Sequence, residues 1–330
     1  MSELLNIRNK IRDFFRKFDE ITMPIIRFIF AYAMFSSINS LFGYSDLFER
    51  GIVVFLLALI SSLVPNAVVV FLGGVVIMVN VFTVGTEVAI AFAALFIVIY
   101  CTYMRMFPDC CWVLALVPIM YCINMQFAVP VIVVIFAGIS GIVPAAFGAV
   151  LYYFAQATRE ISDMIKASSE EEVKAFSYLV DNVVKNKEVL LTIVVFAVVI
   201  AVGYVVYRLP VDFAFYIGIV ACGAVSIISY PVCSGILDVQ GEGIGKVILG
   251  SLVGILIGAV AQFFKGILDY AHKESVQFED DEYYYYVKAV PKYDVAETKR
   301  VVKKITDEGE VNNLRQNVQN NTERRRKQQM

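Results

Sequence analysis

The feature that most constrains this chain is a long stretch that carries almost no charge. Within residues 51–156, only Glu87, Arg105 and Asp109 have charged side chains. A soluble domain of this length needs many more charged groups on its surface, whereas lipid requires no polar coat. The whole chain is 59% hydrophobic and 18% charged, against about 45–50% and about 25% in soluble domains. The sequence therefore predicts an all-α, polytopic helical membrane protein.

Counting about 20 apolar residues for each crossing predicts about ten membrane segments. Six spans are clear from the apolar runs: residues 24–42, 88–106, 111–127, 189–207, 212–234 and 246–264. Two further stretches, 51–82 and 128–156, are too long for one helix and short for two. Each has a proline near its middle, Pro65 in the first and Pro144 in the second. We expect each stretch to form two short helices that meet at its proline.

The two proline-broken stretches resemble each other. Residues 51–67 and 130–146 align without gaps, and the identical pairs are Val54/Val133, Ala58/Ala137, Ile60/Ile139, Ser61/Ser140, Val64/Val143, Pro65/Pro144 and Ala67/Ala146. This likeness predicts a parallel internal repeat of residues 24–106 and 111–207, followed by two C-terminal spans.

Broken apolar segments at corresponding positions in two halves indicate a transporter-like binding site. The candidate residues of this broken-helix site are Ser61, Pro65, Asn66, Ser140 and Pro144. The alternative is a pair of short interfacial hairpins that serve only to pack the bundle.

Basic residues at the two ends of the chain predict its orientation. Residues 1–23 place apolar and basic side chains on different faces, which is typical of an amphipathic helix on an anionic inner leaflet. Together with the terminal run Arg324, Arg325, Arg326 and Lys327, this predicts a cell-membrane protein with both termini in the cytoplasm. The charged segment 159–188 then lies outside. With one span fewer it would lie inside and the tail outside.

Signatures of catalysis and of cofactor binding are missing from the sequence. His272 is the single histidine, and no HExxH, P-loop or GxSxG motif occurs. The six cysteines lack the spacing of a metal site or a disulfide framework. The basic residues lie beside apolar segments, so nucleic acid is not an expected partner. We expect no enzyme activity, no cofactor and no metal.

Small residues in the last span predict close helix packing. Gly250, Gly254 and Gly258 recur at every fourth position and form a ridge on one helix face. The ridge can pack within the chain or in a homodimer.

Residues 269–330 predict a cytoplasmic tail whose end is disordered. An acidic cluster precedes four tyrosines, and the candidate docking residues are Glu279, Asp280, Asp281, Glu282, Tyr283, Tyr284, Tyr285 and Tyr286. Tyrosine and valine favour extended backbone, which can add a strand to the sheet edge of a partner. The alternative is a juxtamembrane strip whose tyrosines lie in the lipid interface.

The run VQFEDDEYYYYVKAVPK, which follows an apolar span ending in QFF, carries a family resemblance. It resembles the ending of a family of bacterial multi-pass membrane proteins loosely labelled ABC transporter permease. The short helix ending in LYYF at 151–154 is similar as well. The resemblance implies a permease-like subunit that works with a separate ATPase, and it assigns no site residues.

Two functions therefore remain open at the level of sequence. The first is a permease-like subunit of a transport system. The second is a membrane scaffold or envelope-assembly protein that acts through its tail. A sensor that signals through the tail is a weaker third reading, because the tail holds no recognisable output domain.

Overall fold

The structure is a computed structural model that describes residues 19–45, 51–167, 175–211, 213–269, 274–279 and 284–289. It divides into two units, Met1–Asp269 and Tyr270–Met330, and each is described by itself. Residues 1–18 of the expected N-terminal amphipathic helix lie outside the described residues.

The first unit is helical throughout its described part. Its helices are α1 (Asp19–Phe42), α2 (Gly51–Ser61), α3 (Asn66–Val84), α4 (Thr86–Ile99), α5 (Trp112–Cys122), α6 (Val129–Phe136), α7 (Ile142–Ala167), α8 (Ala175–Leu179), α9 (Lys187–Tyr207), α10 (Ala214–Leu237) and α11 (Ile244–Asp269). Turns of π-helix extend α4 and α8, and short 3₁₀ turns precede α5, α6 and α7.

Seven segments within the described residues are long and apolar enough to cross a membrane. They are Thr22–Phe42, Asn66–Val84, Thr86–Met104, Gly138–Lys166, Ala175–Tyr207, Ala214–Leu237 and Ile244–Phe263. Helices α2, α5 and α6 are apolar but shorter. At about 1.5 Å per residue, an 11-residue helix covers about half of a 30 Å hydrocarbon core. A polytopic helical membrane fold is thus supported, while ten segments and the parallel repeat are not confirmed.

The outer surface of the long helices is apolar. Ile29, Ile97 and Leu256 expose 61%, 60% and 66% of their surface. Side chains of this kind, repeated along helix after helix, would be unfavourable in water and are suited to contact with lipid tails.

Two apolar clusters form the interior. The first is built mainly from α1 to α4 and includes Phe35, Val81 and Phe92. The second is built mainly from α6, α9 and α10 and includes Ile135 and Ile200. Helices α5 and α7 contribute to both clusters, so they form the seam between the two halves of the bundle.

Polar contacts define one end of the bundle. We call it the pocket end, because a polar pocket opens there. The backbone N–H of Ser45, after α1, donates to Asn80 Oδ1 near the end of α3 at 3.2 Å. The N–H of Phe176 in α8 donates to Glu87 at the start of α4. Helices α1 and α3 therefore finish at this end, and α4 starts there.

A second set of contacts defines the opposite end. Tyr103, after α4, donates its hydroxyl to the carbonyl of Ser140 before α7 at 3.0 Å. Tyr207 at the end of α9 donates to Gln262 of α11 at 2.9 Å. Lys265 of α11 donates to the carbonyl of Ile135 in α6. Helices α4, α6, α9 and α11 therefore run towards this end, and α7 starts from it.

The expected span 111–127 is wrong as one long helix. Helix α5 ends at Cys122, and the chain turns through Asn124, whose φ of 56° is left-handed. Asparagine tolerates this conformation, which terminates a helix. The chain then reverses into α6.

The expected break at Pro144 is also wrong, because the helix break lies a few residues earlier in the chain. Helix α6 ends at Phe136, and Gly138 adopts a positive φ of 65°. Pro144 sits in the first turn of the 26-residue α7, where proline costs little because that N–H has no intrahelical acceptor. The helix break is therefore at Gly138 and not at Pro144. The expected break at Pro65 is found where predicted, between α2 and α3.

The second unit contains a β-hairpin that the all-α expectation missed. Strands β1 (Glu274–Glu279) and β2 (Tyr284–Ala289) pair antiparallel, with Glu274 opposite Ala289 and Glu279 opposite Tyr284. The extended backbone expected from the tyrosine and valine content is present in β2.

Candidate functional site: a tyrosine-lined pocket

A polar pocket of about 370 Å³ opens at the pocket end between α5, α7, α9, α10 and the loop before α11. Its lining residues are Tyr121, Tyr152, Tyr153, Gln156, Glu188, Leu191, Tyr230, Gln240, Gly241, Glu242, Gly243 and Lys246. We call it the tyrosine pocket. Its volume is within the usual range for small-molecule sites.

A shared hydroxyl holds two of the tyrosines in place. Thr192 of α9 is buried, and its Oγ1 lies 3.3 Å from the hydroxyl of Tyr121 and 3.2 Å from that of Tyr153. This arrangement ties α5, α7 and α9 together beneath the pocket. Because burying unpaired hydroxyls is unfavourable, the three groups fix one another's positions.

Ring contacts complete the inner wall. The rings of Tyr121 and Tyr152 stack with their centroids 4.0 Å apart, and Tyr153 meets Tyr152 edge-on at 5.5 Å. On the other side, the ring of Tyr230 contacts Phe127 edge-on at 5.4 Å. The pocket is thus bounded by rings whose orientations are set by packing.

The loop between α10 and α11 forms the outer wall. Helix α10 ends where Asp238 adopts a left-handed φ of 52°. The N–H of Glu242 donates to the Tyr230 hydroxyl at 2.8 Å, and the Glu242 carboxylate pairs with Lys246 at 3.0 Å. Lys187 donates to the Leu237 carbonyl at 3.1 Å, which joins the start of α9 to the end of α10.

The first half of the expected broken-helix site lies in the first apolar cluster. Ser61 is fully buried, and its hydroxyl has no hydrogen-bond partner among the described residues. Pro65 is exposed and precedes Asn66 at the start of α3. Because α3 finishes at the pocket end, these residues lie towards the opposite end.

The second half of that expected site lies against the other cluster. Ser140 donates its hydroxyl to the Ala137 carbonyl at 2.8 Å and lies 3.7 Å from the sulfur of Cys110. Pro144 is buried next to Ala145, a member of the second cluster. Among the described residues no hydrogen bond joins Ser61 to Ser140, and neither lines the tyrosine pocket. The geometry does not assemble the five residues into one site.

The candidate tail-docking residues are only partly described. Glu279 is the last residue of β1, and Tyr284, Tyr285 and Tyr286 are the first of β2. Asp280, Asp281, Glu282 and Tyr283 lie outside the described residues.

Sequence reasoning missed the tyrosine pocket. Its members come from five separate parts of the chain, and although Tyr152 and Tyr153 belong to the LYYF run, no motif for binding joins these parts. A usable signal was present, since Tyr121, Tyr152, Tyr153 and Tyr230 place hydroxyls within apolar helices. Within the described chain no group of three or more histidine, cysteine, aspartate or glutamate residues is arranged to hold a metal ion.

Comparison with known proteins gives no relative: no protein-family model, no curated protein and no solved structure matches the chain.

Proposed function

We propose that this protein is a permease-like membrane subunit that binds a small polar solute in the tyrosine pocket. The observation that carries the proposal is a polar cavity of about 370 Å³, framed by four tyrosines, in an otherwise apolar bundle. Polar groups that converge on a concave site within a membrane bundle favour ligand binding over packing.

The surrounding helices support a transport role. Short helices α5 and α6 and the breaks at Pro65 and Gly138 give the bundle interrupted segments of the kind that transporters use. We place the protein in a bacterial cytoplasmic membrane with both termini inside, so that the tyrosine pocket faces outward. In this proposal the seven long segments and the shorter helices α2, α5 and α6 together form ten membrane segments. The two halves of the bundle derive from a parallel repeat. The chain itself is not an enzyme, and a separate ATPase subunit supplies the energy.

Thr192 offers a direct test of the tyrosine pocket. Replacement by valine keeps the shape and removes the oxygen that binds both Tyr121 and Tyr153. The full chain in proteoliposomes would be screened for binding and uptake of anionic, neutral and cationic small solutes. We expect Thr192→Val to weaken binding of the selected solute by about fivefold, the value of about one lost hydrogen bond.

Thr158→Val is the matched control. Thr158 is also fully buried, but its hydroxyl bonds only the Phe154 carbonyl of its own helix. Solute binding should be unchanged in this variant. Equal losses in both variants, or no binding of any solute to the native chain, would count against a binding site in the tyrosine pocket.

The hairpin of the second unit favours one alternative, a scaffold that acts through its tail. A two-stranded sheet is marginally stable alone and has free edges that another strand can join. A mild-detergent pull-down would compare the full chain with a chain ending at Lys273. Recovery of a nucleotide-binding subunit with either chain supports the permease. Recovery of envelope-assembly proteins only with the intact tail supports the scaffold.

A further inference from the structure

We infer that the solute taken by the tyrosine pocket is an organic cation, such as a substituted ammonium ion. This inference rests on the proposed function, since it names the ligand class of the same pocket. Two features carry it: the balance of charge on the lining and the aromatic rings.

The lining carries an excess of negative charge. Its ionic groups are Glu188, Glu242 and Lys246. Lys246 pairs with Glu242 at 3.0 Å, so these two charges offset each other. Glu188 makes no ion pair within the described part of the chain. Its neighbour Lys187 donates instead to the Leu237 carbonyl. One carboxylate is therefore left to attract a cation and repel an anion.

The aromatic lining favours the same charge. Tyrosine rings present a negative face, which attracts a cation that lies within about 6 Å of the ring centroid. Four tyrosines line the cavity. A neutral molecule of the same shape would gain hydrophobic contact but not this attraction.

Three of the four tyrosine hydroxyls have hydrogen-bond partners within the protein. Those of Tyr121 and Tyr153 share Thr192, and that of Tyr230 accepts from the N–H of Glu242. The Tyr230 hydroxyl acts here as an acceptor and keeps its own O–H to donate, so the hydroxyls alone do not select the charge of the ligand. The selection therefore rests on the rings and the Glu188 carboxylate, and both favour a cation.

A pair of isosteric probes tests the inference on the full chain in lipid nanodiscs. Choline carries a trimethylammonium group, and 3,3-dimethyl-1-butanol carries a neutral tert-butyl group of nearly the same shape. Calorimetric titration would give the dissociation constant of each. We expect choline to bind about tenfold more tightly, the sum of two or three cation–π contacts.

Two glutamate variants locate the effect. Glu188→Gln should weaken choline binding by about threefold, because the carboxylate is exposed and its attraction is screened. Binding of the neutral probe should not change. Glu87→Gln is the matched control: Glu87 is also exposed at the pocket end but accepts from Phe176 and does not line the pocket. It should leave both probes unaffected.

The outcomes separate this inference from the proposed function. Equal or tighter binding of the neutral probe, or a Glu188→Gln variant that binds choline as the native chain does, would overturn the inference. The proposed function would survive if another solute still depended on Thr192. Failure of every solute in the panel to bind would overturn both.

Discussion

At the level of single residues, the glycine ridge of α11 is used inside the chain. A Cβ added at Gly254 would lie 3.0 Å from the Cα of Ala128 and 3.2 Å from the carbonyl oxygen of Phe127. Gly250 faces the Phe127 ring, and Gly258 faces Val131 of α6. Only glycine allows so close an approach of backbone to backbone. The ridge therefore packs α11 on α6 and on the 3₁₀ turn before it, so this face is covered within the chain.

Gly254→Leu tests this packing. The new side chain meets backbone atoms that cannot rotate away, so we expect a loss of about 1–3 kcal/mol in the free energy of unfolding. Thermal unfolding in detergent would show a lower midpoint. Gly245→Leu is the control, because nothing lies within 4 Å of the position its Cβ would take. Equal midpoints for the two variants would contradict close packing at Gly254.

At the level of elements, the break between α6 and α7 sets where the second half of the bundle turns. Helix α6 is eight residues long and ends just before Gly138, and the 26-residue α7 starts after one 3₁₀ turn. The positive φ of Gly138 turns the chain back on itself, and the ring of Tyr204 packs against this glycine. The break thereby brings Ser140 next to Tyr103 at the opposite end.

Gly138→Ala should destabilise the protein by about 1–2 kcal/mol, the cost of a left-handed conformation for a residue with a Cβ. The new methyl would also lie 3.0 Å from the Tyr204 ring. Gly51→Ala, at the open start of α2, should be neutral or slightly stabilising. Unfolding midpoints in detergent report both effects. A Gly138→Ala variant as stable as Gly51→Ala would show that the positive φ is not required.

At the level of the whole helical unit, the helix directions assign its described loops to one of the two ends. The loop holding Gln240 belongs to the pocket end, and the turn after α9 holding Leu209 belongs to the opposite end. Both residues are exposed. With cytoplasmic termini, the pocket end faces outward.

Cysteine labelling in intact cells tests that orientation. In a background in which the exposed Cys101 is replaced by serine, Gln240→Cys should react with a membrane-impermeant maleimide added outside. Leu209→Cys should react only after the membrane is permeabilised. The reverse pattern would place the termini outside and turn the tyrosine pocket to the cytoplasm.

Much of the fold follows from the sequence, because a lipid environment restricts which backbone structures are possible. The apolar runs that predicted spans at 24–42, 88–106, 189–207, 212–234 and 246–264 each overlap a long helix over most of their length. A backbone in hydrocarbon has to satisfy its own hydrogen bonds, so a long apolar run forms a helix. Pro65 likewise breaks its helix, because it lacks an N–H and restricts the residue before it.

Other elements depended on contacts that no local pattern contains. The end of α5 was decided by the turn at Asn124, and its neighbours were decided by packing against α7 and α9. The break falls at Gly138, whose positive φ turns the chain and whose missing Cβ leaves room for the Tyr204 ring. The tyrosine pocket forms where α5, α7 and α9 pack together, with the Thr192 hydroxyl between those of Tyr121 and Tyr153. The sequence by itself determined a helical membrane protein, since hydropathy is a local property. The tertiary structure decided where its polar groups meet, since that depends on which helices are neighbours.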